Sequence, residues 1–273
     1  MMYNRCDHDA EEVTTMRTEE GVAVISKMAR ILDLLADHTP LNASEISQQL
    51  SIPRTTVNRL LQTMVSEQML TESHQPGPRL VRWASLALRG SGVRELCGPV
   101  LARLVGQFGE TASVFVQSGA SRICLDRREG TESVRHNIEV GDAMPIHVGS
   151  AGRILLAWLD ATQRDALIHQ SSAWSGVPIL SPDPDWALIR RRGWLTTVGE
   201  RDPILASVSV PIFGAEGLVL AALSLSGPRM RFSRERVEEM ASTLECEAEA
   251  VGRQLQHIAK DSYMAKTARG DRA

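Results

Sequence analysis

Residues 42–64 read NASEISQQLSIPRTTVNRLLQTM, and the punctuation of this stretch decides the fold. Asn42 is an N-cap residue with Glu45 three positions on, the reciprocal arrangement of a capping box, ahead of the apolar Ile46 and Leu50. Ser51-Ile52-Pro53 breaks that short helix, and Pro53, with its fixed φ and missing N–H, suits the first turn of another. From Pro53 to about Gln68, Val57, Leu60, Leu61 and Met64 fall on one apolar stripe at helical spacing. Opposite that stripe lie Thr55, Arg59 and Gln62, flanked by Thr56, Thr63 and Asn58, with Arg54 at the N-terminal end. Two short helices joined by a tight turn, the second presenting side chains that bond base edges and phosphates, make a helix-turn-helix. A merely solvated polar face has the same composition, so the second helix alone leaves both readings open.

Working outward, Ile25, Met28, Leu32 and Leu35 recur at helical spacing between Val22 and Asp37, and His38-Thr39-Pro40 ends that segment. Downstream, Thr71-Glu72, the turn-rich SHQPGP of Ser73–Pro78 and Arg79-Leu80-Val81-Arg82 predict a β-hairpin with two arginines on its return strand. Three helices and a hairpin form a winged helix-turn-helix over residues 21–82, and the complete unit favours DNA over a bland polar face. Its expected DNA contacts are Arg54, Thr55, Thr56, Asn58, Arg59 and Gln62 on the helix, with Arg79 and Arg82 anchoring phosphates from the wing.

Gly90-Ser91-Gly92 marks a linker over residues 83–93, and a second domain is expected over 94–259. It opens on a helix, Val93–Phe108, apolar through Leu96, Val100, Leu101, Leu104 and Phe108. Strands are expected at Ser113–Gln117, Arg122–Arg127, Val134–Val140, Ala206–Phe213 and Leu218–Ser226, with helices at Gly152–Leu159, Thr162–His169, Pro184–Arg192 and Ser233–His257. The fold class is α+β with a largely antiparallel sheet. Residues 1–20 and 260–273 are polar and aperiodic and are expected to be disordered.

With 273 residues, 43% of them apolar, the chain has material for two cores. Its net charge of −3 is unevenly spread: −4 over residues 1–20, +2 over 21–92, −3 over 93–259 and +2 over 260–273. So small a positive excess on the helix-turn-helix does not by itself point to DNA. The longest nearly apolar run, Gly217–Leu225, is too short to span a bilayer, and the acidic first 20 residues are the opposite of a signal peptide. A cytoplasmic protein with no membrane partner is expected. Cys6, Cys97, Cys124 and Cys246 lack CxxC spacing and read as reduced, structural thiols.

A second constellation is Gly149-Ser150-Ala151-Gly152, between the extended Met144-Pro145-Ile146-His147 and the helical run RILLAWLD. Free N–H groups at a helix start attract anions, and small residues let a ligand approach, although Ser150 serves equally as a plain N-cap. Ser207 and Ser209 alternate with Val208 and Val210, as Ser224 and Ser226 do with Leu223 and Leu225. If the two strands pair through the short Gly214–Gly217 connection, these serines floor a polar pocket. The pattern fits a water-facing sheet surface just as well. No G-x-S-x-G, S-x-x-K, H-E-x-x-H or P-loop is present, His136 and His147 read as structural or surface residues and not as metal ligands, and Arg190-Arg191-Arg192 is a charged helix end. No catalytic residue, metal site or cofactor is expected. The alternative is a hydrolytic enzyme with an accessory helical domain, using Ser150 and His147.

From about Val22 to about His257 the chain resembles the IclR (isocitrate-lyase regulator) family of transcription factors. The resemblance lies in ISQQLSIPRTTVNRLLQTM, MPIHVGSAGRILLAW, RRGW with Glu200, and VPIFGAEGLVLAALSLSGPRMRF. It implies a ligand-responsive DNA-binding regulator, expected to be a repressor of a catabolic operon, with a GAF-like α/β effector domain sensing a small organic acid or aromatic metabolite. It also implies a homodimer or homotetramer on a double-stranded DNA operator. Carried over by position, the effector contacts are Ser150, Ala151, Thr197, Ser207, Ser224 and Ser226. Departures are specific: Thr197 and Ser207 stand where members binding small oxo acids often have an acid and a cysteine. Ile204 and Ser51 replace usual glycines, and the wing lacks Tyr-x-Leu-Gly.

Overall fold

The computed structural model of the chain describes residues 23–36, 41–90, 92–179 and 184–270. The chain divides into two compact units, Met1–Leu88 and Arg89–Ala273. The N-terminal tail expected over residues 1–20 lies outside the described residues.

In the first unit, helices α1 (23–36), α2 (Ala43–Leu50) and α3 (Arg54–Ser66) enclose a core of Ile31, Leu35, Ile46, Ile52, Val57, Leu60, Leu61, Met64 and Leu70. The capping box forms as the sequence predicts. Asn42 Oδ1 accepts the Ser44 and Glu45 amides at 2.9 and 3.1 Å, and Glu45 Oε2 accepts the Asn42 amide at 2.7 Å. Ser51 ends α2 in the left-handed conformation, φ 53°, where a glycine is the easier occupant. Ser47 Oγ then donates to the Ile52 carbonyl at 2.7 Å, tying the turn to α2. Pro53 is the N-cap of α3, one position before the first-turn site expected for it.

The predicted wing is corrected. Its hairpin shrinks to one antiparallel bridge, Leu70 with Pro76, and the segment expected to return as a strand is instead helix α4 (Pro78–Gly90). Arg79 and Arg82 therefore stand on a helix. Pro78 cannot donate to a ladder, its φ suits a first helical turn, and the leucines, arginines and alanines that follow are strong helix formers. Gly77 permits the tight approach: its amide donates to the Met69 carbonyl at 2.7 Å, and a Cβ there would collide with the Gln68 carbonyl. Because α4 runs to Gly90, most of the expected linker over 83–93 is helical too.

The second unit opens with α5 (Val93–Phe108), then β1 (Thr111–Ser118), β2 (Ser121–Arg128), β3 (Ala143–Pro145), α6 (Ser150–Ala157), α7 (Ala161–Ser175) and α8 (Trp186–Arg192). It closes with β4 (Leu195–Val198), β5 (Leu205–Phe213), β6 (Val219–Pro228) and α9 (Arg234–Gly270). The six strands form one antiparallel sheet in the order β3-β2-β1-β6-β5-β4. Alternation sorts the faces: Ala112, Val114, Val208, Val210, Leu223 and Leu225 share one core with Leu101 and Leu104 of α5 and Met240 and Leu244 of α9. On the other face Phe115 and Ala222 pack with Ile154 and Leu155 of α6.

Two boundaries differ from expectation. Residues 134–140 form no strand; Thr111 Oγ1 donates to the His136 carbonyl and Arg231 Nη2 to the Val134 carbonyl, so side chains rather than a ladder take these groups. Helix α9 continues to Gly270, beyond the apolar period that ends near His257, through a stretch rich in alanine and lysine.

Candidate functional site

Two surfaces carry the residues singled out by sequence, one in each unit. On α3, Val57, Leu60, Leu61 and Met64 are buried, while Arg54, Thr55, Asn58, Arg59 and Gln62 are exposed and Thr56 is half-buried. The helix thus turns a contiguous polar and basic face outward, anchored by four core contacts. Arg79 and Arg82 are exposed on α4, and Arg79 Nη1 pairs with Glu67 Oε2 at 2.7 Å. An exposed pair of this kind contributes at most about 1 kcal/mol, so a phosphate oxygen competes for Arg79 on nearly equal terms.

The second surface is a sheet face of hydroxyls. Cross-strand register aligns Thr197, Ser207, Ser226 and Thr111 in one row over β4, β5, β6 and β1, and Ser209, Ser224 and Ser113 in the next. The face is buried, not open to water, because the start of α6 sits over it. Ser150 Oγ lies 2.7 Å from both Ser207 Oγ and Ser209 Oγ, Thr197 Oγ1 lies 3.1 Å from Ser207 Oγ, and Ser209 Oγ donates to Ser224 Oγ at 2.8 Å. Thr197 Oγ1 also accepts the Ser150 amide at 3.0 Å. Ser113 Oγ is buried at the end of its row with no partner.

The carboxylate of Glu200 closes the first turn of α6. It accepts the Gly149 amide at 2.8 Å and pairs with Arg153 at 2.9 Å. Gly152 is required here, since a Cβ would collide with the Ile146 carbonyl.

Beside the hydroxyls is a cavity of about 50 Å³, lined by Thr197, Ser207 and Ser226 from the sheet and by Arg122, His136 and Arg201 around it. His136 Nδ1 is 3.0 Å from Ser226 Oγ, and its Nε2 is in contact with Arg201 Nη2. Burial, reinforced by Arg201 and Arg122, pushes His136 down to about 4, so near neutral pH the ring is uncharged. Burial and then repulsion from Arg201 push Arg122 down to about 9. Of the expected effector contacts, Thr197, Ser207 and Ser226 face this cavity. Ser150 and Ser224 lie behind it within the hydroxyl network, and Ala151 packs into the apolar cluster under α6.

Arg122, His136, Arg201 and Asp202 belong to the cavity without having been assigned to it from sequence. One signal was available: in β2, Arg122 shares the buried side with Cys124, an unusual place for an arginine. The hydrolytic alternative fails on geometry. His147 Nδ1 lies 2.8 Å from Ser171 Oγ and its Nε2 3.2 Å from the Val177 carbonyl, while Ser150 is bonded to Ser207 and Ser209. A larger groove, about 460 Å³, lies between β5 and α9 around Val210, Phe213 and Gly252, apart from this chemistry. Its one cation, Arg253, pairs with Glu249 on the same helix. Among the described residues no cluster of His, Cys, Asp or Glu is placed to hold a metal, and no helix is long and apolar enough to cross a membrane.

Comparison with known proteins adds to this geometry. Residues 24–74 match the model of the IclR helix-turn-helix domain, and residues 85–253 match that of the bacterial transcriptional regulator IclR C-terminal domain. The HTH-type transcriptional regulator BhcR of Paracoccus denitrificans is 29% identical over 234 residues, 82% of this chain and 84% of the relative. The transcriptional repressor IclR of Escherichia coli is 27% identical over 247 residues, 84% and 89% of the two chains. Among solved structures, an IclR regulator from Alicyclobacillus acidocaldarius superposes with a TM-score of 0.69 at 23% identity, covering 84% of this chain and 97% of that one. An IclR homolog from Microbacterium hydrocarbonoxydans, complexed with 4-hydroxybenzoate, superposes with a TM-score of 0.66 at 23% identity, covering 86% and 99%.

Proposed function

The chain belongs to the IclR family of bacterial transcriptional regulators and is a DNA-binding regulator, not an enzyme; from that premise we propose that it is a ligand-responsive repressor of a catabolic operon. In this reading α3 enters the major groove, with Arg54, Thr55, Thr56, Asn58, Arg59 and Gln62 at base edges and phosphates and Arg79 and Arg82 on the flanking backbone. The active species is a homodimer or homotetramer, so that paired α3 helices meet half-sites about one helical turn apart or a multiple of it. The effector is a small organic acid or an aromatic metabolite, held by Thr197, Ser207 and Ser226 with Ser150, Ala151 and Ser224 supporting them. Its binding shifts the population between arrangements of differing operator affinity.

The observation that carries the reading is the outward polar and basic face of α3 on a fully formed helical core. The test is binding of the full chain to the DNA upstream of its own gene and neighbouring operons, as a salt series, wild type against Arg59→Ala. Saturable, sequence-selective binding weakened by Arg59→Ala supports the assignment. Equal, nonselective binding by both proteins at every upstream fragment counts against α3 as the reading helix.

A further inference from the structure

We propose that the acidic N-terminal segment of this chain, residues 1–20, seats on the exposed basic face of α3 and competes with DNA for it, so that the protein carries its own salt-sensitive brake on DNA binding. The inference rests on the reading of α3 as the DNA-contacting helix and adds what occupies that face when DNA is absent.

Arg54 and Arg59 on α3 and Arg82 on α4 are exposed, and they form no ion pair among the described residues. Two of the unit's few carboxylates are engaged elsewhere: Glu45 closes the capping box of α2, and Glu67 pairs with Arg79. Nor does α3 supply an anion of its own. Its first turn holds no acidic residue and Pro53 gives no side-chain cap, which leaves the positive end of the helix dipole without a neutralising group from the helix itself. Uncompensated positive charge of this kind attracts any polyanion, a carboxylate-rich peptide as well as a phosphate backbone.

The chain itself carries such a peptide. Residues 1–20 hold six carboxylates against Arg5 and Arg17, 2 − 6 = −4, and Asp7, Asp9, Glu11 and Glu12 fall within one stretch of six residues. The segment ends three positions before α1 begins at residue 23, so it is tethered to the same unit that carries α3. Twenty residues reach at most about 70 Å when extended, against a radius of gyration of about 11 Å for a unit of this size, so the α3 face is within range. Exposed ion pairs are individually weak, and tethering offsets that weakness by holding the partner at an effective concentration of roughly millimolar.

A segment of charge −4 also repels DNA without touching the protein, so contact and repulsion must be separated. Contact has two signatures. DNA must displace the segment, and because salt weakens that contact as well, affinity falls less steeply with salt than in a chain lacking the segment. The inhibition must also depend on the arginines that the segment occupies.

The experiment measures binding of the full chain to the DNA upstream of its own gene, and to a random-sequence duplex of equal length, from about 0.05 to about 0.3 M salt. Wild type is compared with a chain lacking residues 2–20 and with a full-length chain carrying Asp7→Asn, Asp9→Asn, Glu11→Gln, Glu12→Gln, Glu19→Gln and Glu20→Gln together. Both variants should bind each DNA roughly threefold to tenfold more tightly at the low end, match wild type at the high end, and show the steeper salt slope. In an Arg59→Ala background the gain should shrink by about half or more. Without DNA, the side-chain Nε–H NMR signals of Arg54 and Arg59 in arginine-labelled protein should move on truncation and on neutralisation alike. Equal affinities for the three proteins at low salt overturn the proposal. So does a gain that Arg59→Ala leaves whole, or arginine signals that neither variant moves, because the segment then repels DNA without occupying α3. Arginine signals that move while DNA binding is indifferent to Arg59→Ala would remove α3 as the reading helix, and the competition with it, and leave only the contact.

Discussion

Thr197 Oγ1 accepts the backbone amide of Ser150 at 3.0 Å, so an edge strand of the sheet holds the first turn of α6 by a single hydroxyl. The same oxygen lies 3.1 Å from Ser207 Oγ, which joins the helix start to the floor of the cavity.

Thr197→Val keeps the shape and removes the acceptor, leaving the buried Ser150 N–H unsatisfied. The expected loss is about 1–3 kcal/mol in urea unfolding, with Thr197→Ser restoring most of it. Stability of Thr197→Val equal to wild type would show that this bond does not hold α6.

The capping box of α2 supports a second prediction. Asn42→Ala removes the acceptor for the Ser44 and Glu45 amides and should cost about 1 kcal/mol, whereas Asn42→Asp should be nearly neutral. Operator binding by Asn42→Ala should fall at higher temperature before the second unit melts, read by circular dichroism alongside fluorescence anisotropy.

At the DNA surface, base and phosphate contacts separate by salt. Arg59→Ala should weaken operator binding by roughly tenfold or more and relax discrimination at one base position. Arg82→Ala should weaken all DNA alike and lower the slope of log affinity against log salt by about 0.9, the signature of one lost phosphate contact. An unchanged slope for Arg82→Ala would place that residue off the backbone.

His136 predicts a pH dependence of stability. Its folded value, about 4, lies below the ordinary 6.5, so between those limits the unfolded chain binds the proton and the folded chain does not. The protein should therefore lose stability as pH falls through that window, with no further loss from this group below about 4. His147, also pushed down, first by burial, acts in the same direction. The check is the difference in urea midpoint between wild type and His136→Gln across the window, which should shrink as pH falls.

The parts of the fold legible in the sequence are those encoded within a few residues. Asn42 with Glu45, Ser51-Ile52-Pro53 and the Val57 to Met64 stripe specify the helix-turn-helix locally, and the alternation of Ser207 with Ser209 and Ser224 with Ser226 marks one face of a hairpin. The wing misled because SHQPGP carries genuine turn signals, while Pro78 serves equally to start a helix, and the choice falls to the helix-forming run after it. Arg122, His136 and Arg201 were not legible as a group. They come from β2, from an irregular segment and from the loop after β4, and only the closure of the sheet brings them to one cavity.

The two hydroxyl rows have a property that no amide or charged side chain would give that face. Each serine or threonine oxygen both donates and accepts, and a turn of one O–H bond reverses its sense without moving a heavy atom. Ser224 Oγ donates to the Val208 carbonyl and Ser209 Oγ to Ser224 Oγ, so Ser150 donates to Ser209 and Ser207 to Ser150, and a single proton order runs through these four hydroxyls. Ser226 Oγ, which lies against the His136 ring and outside that chain, keeps the freedom to turn and meets a carbonyl or a hydroxyl equally well. Discrimination then falls to the walls, and relatives could exchange one metabolite for another by replacing a few rim residues while the sheet beneath stays the same.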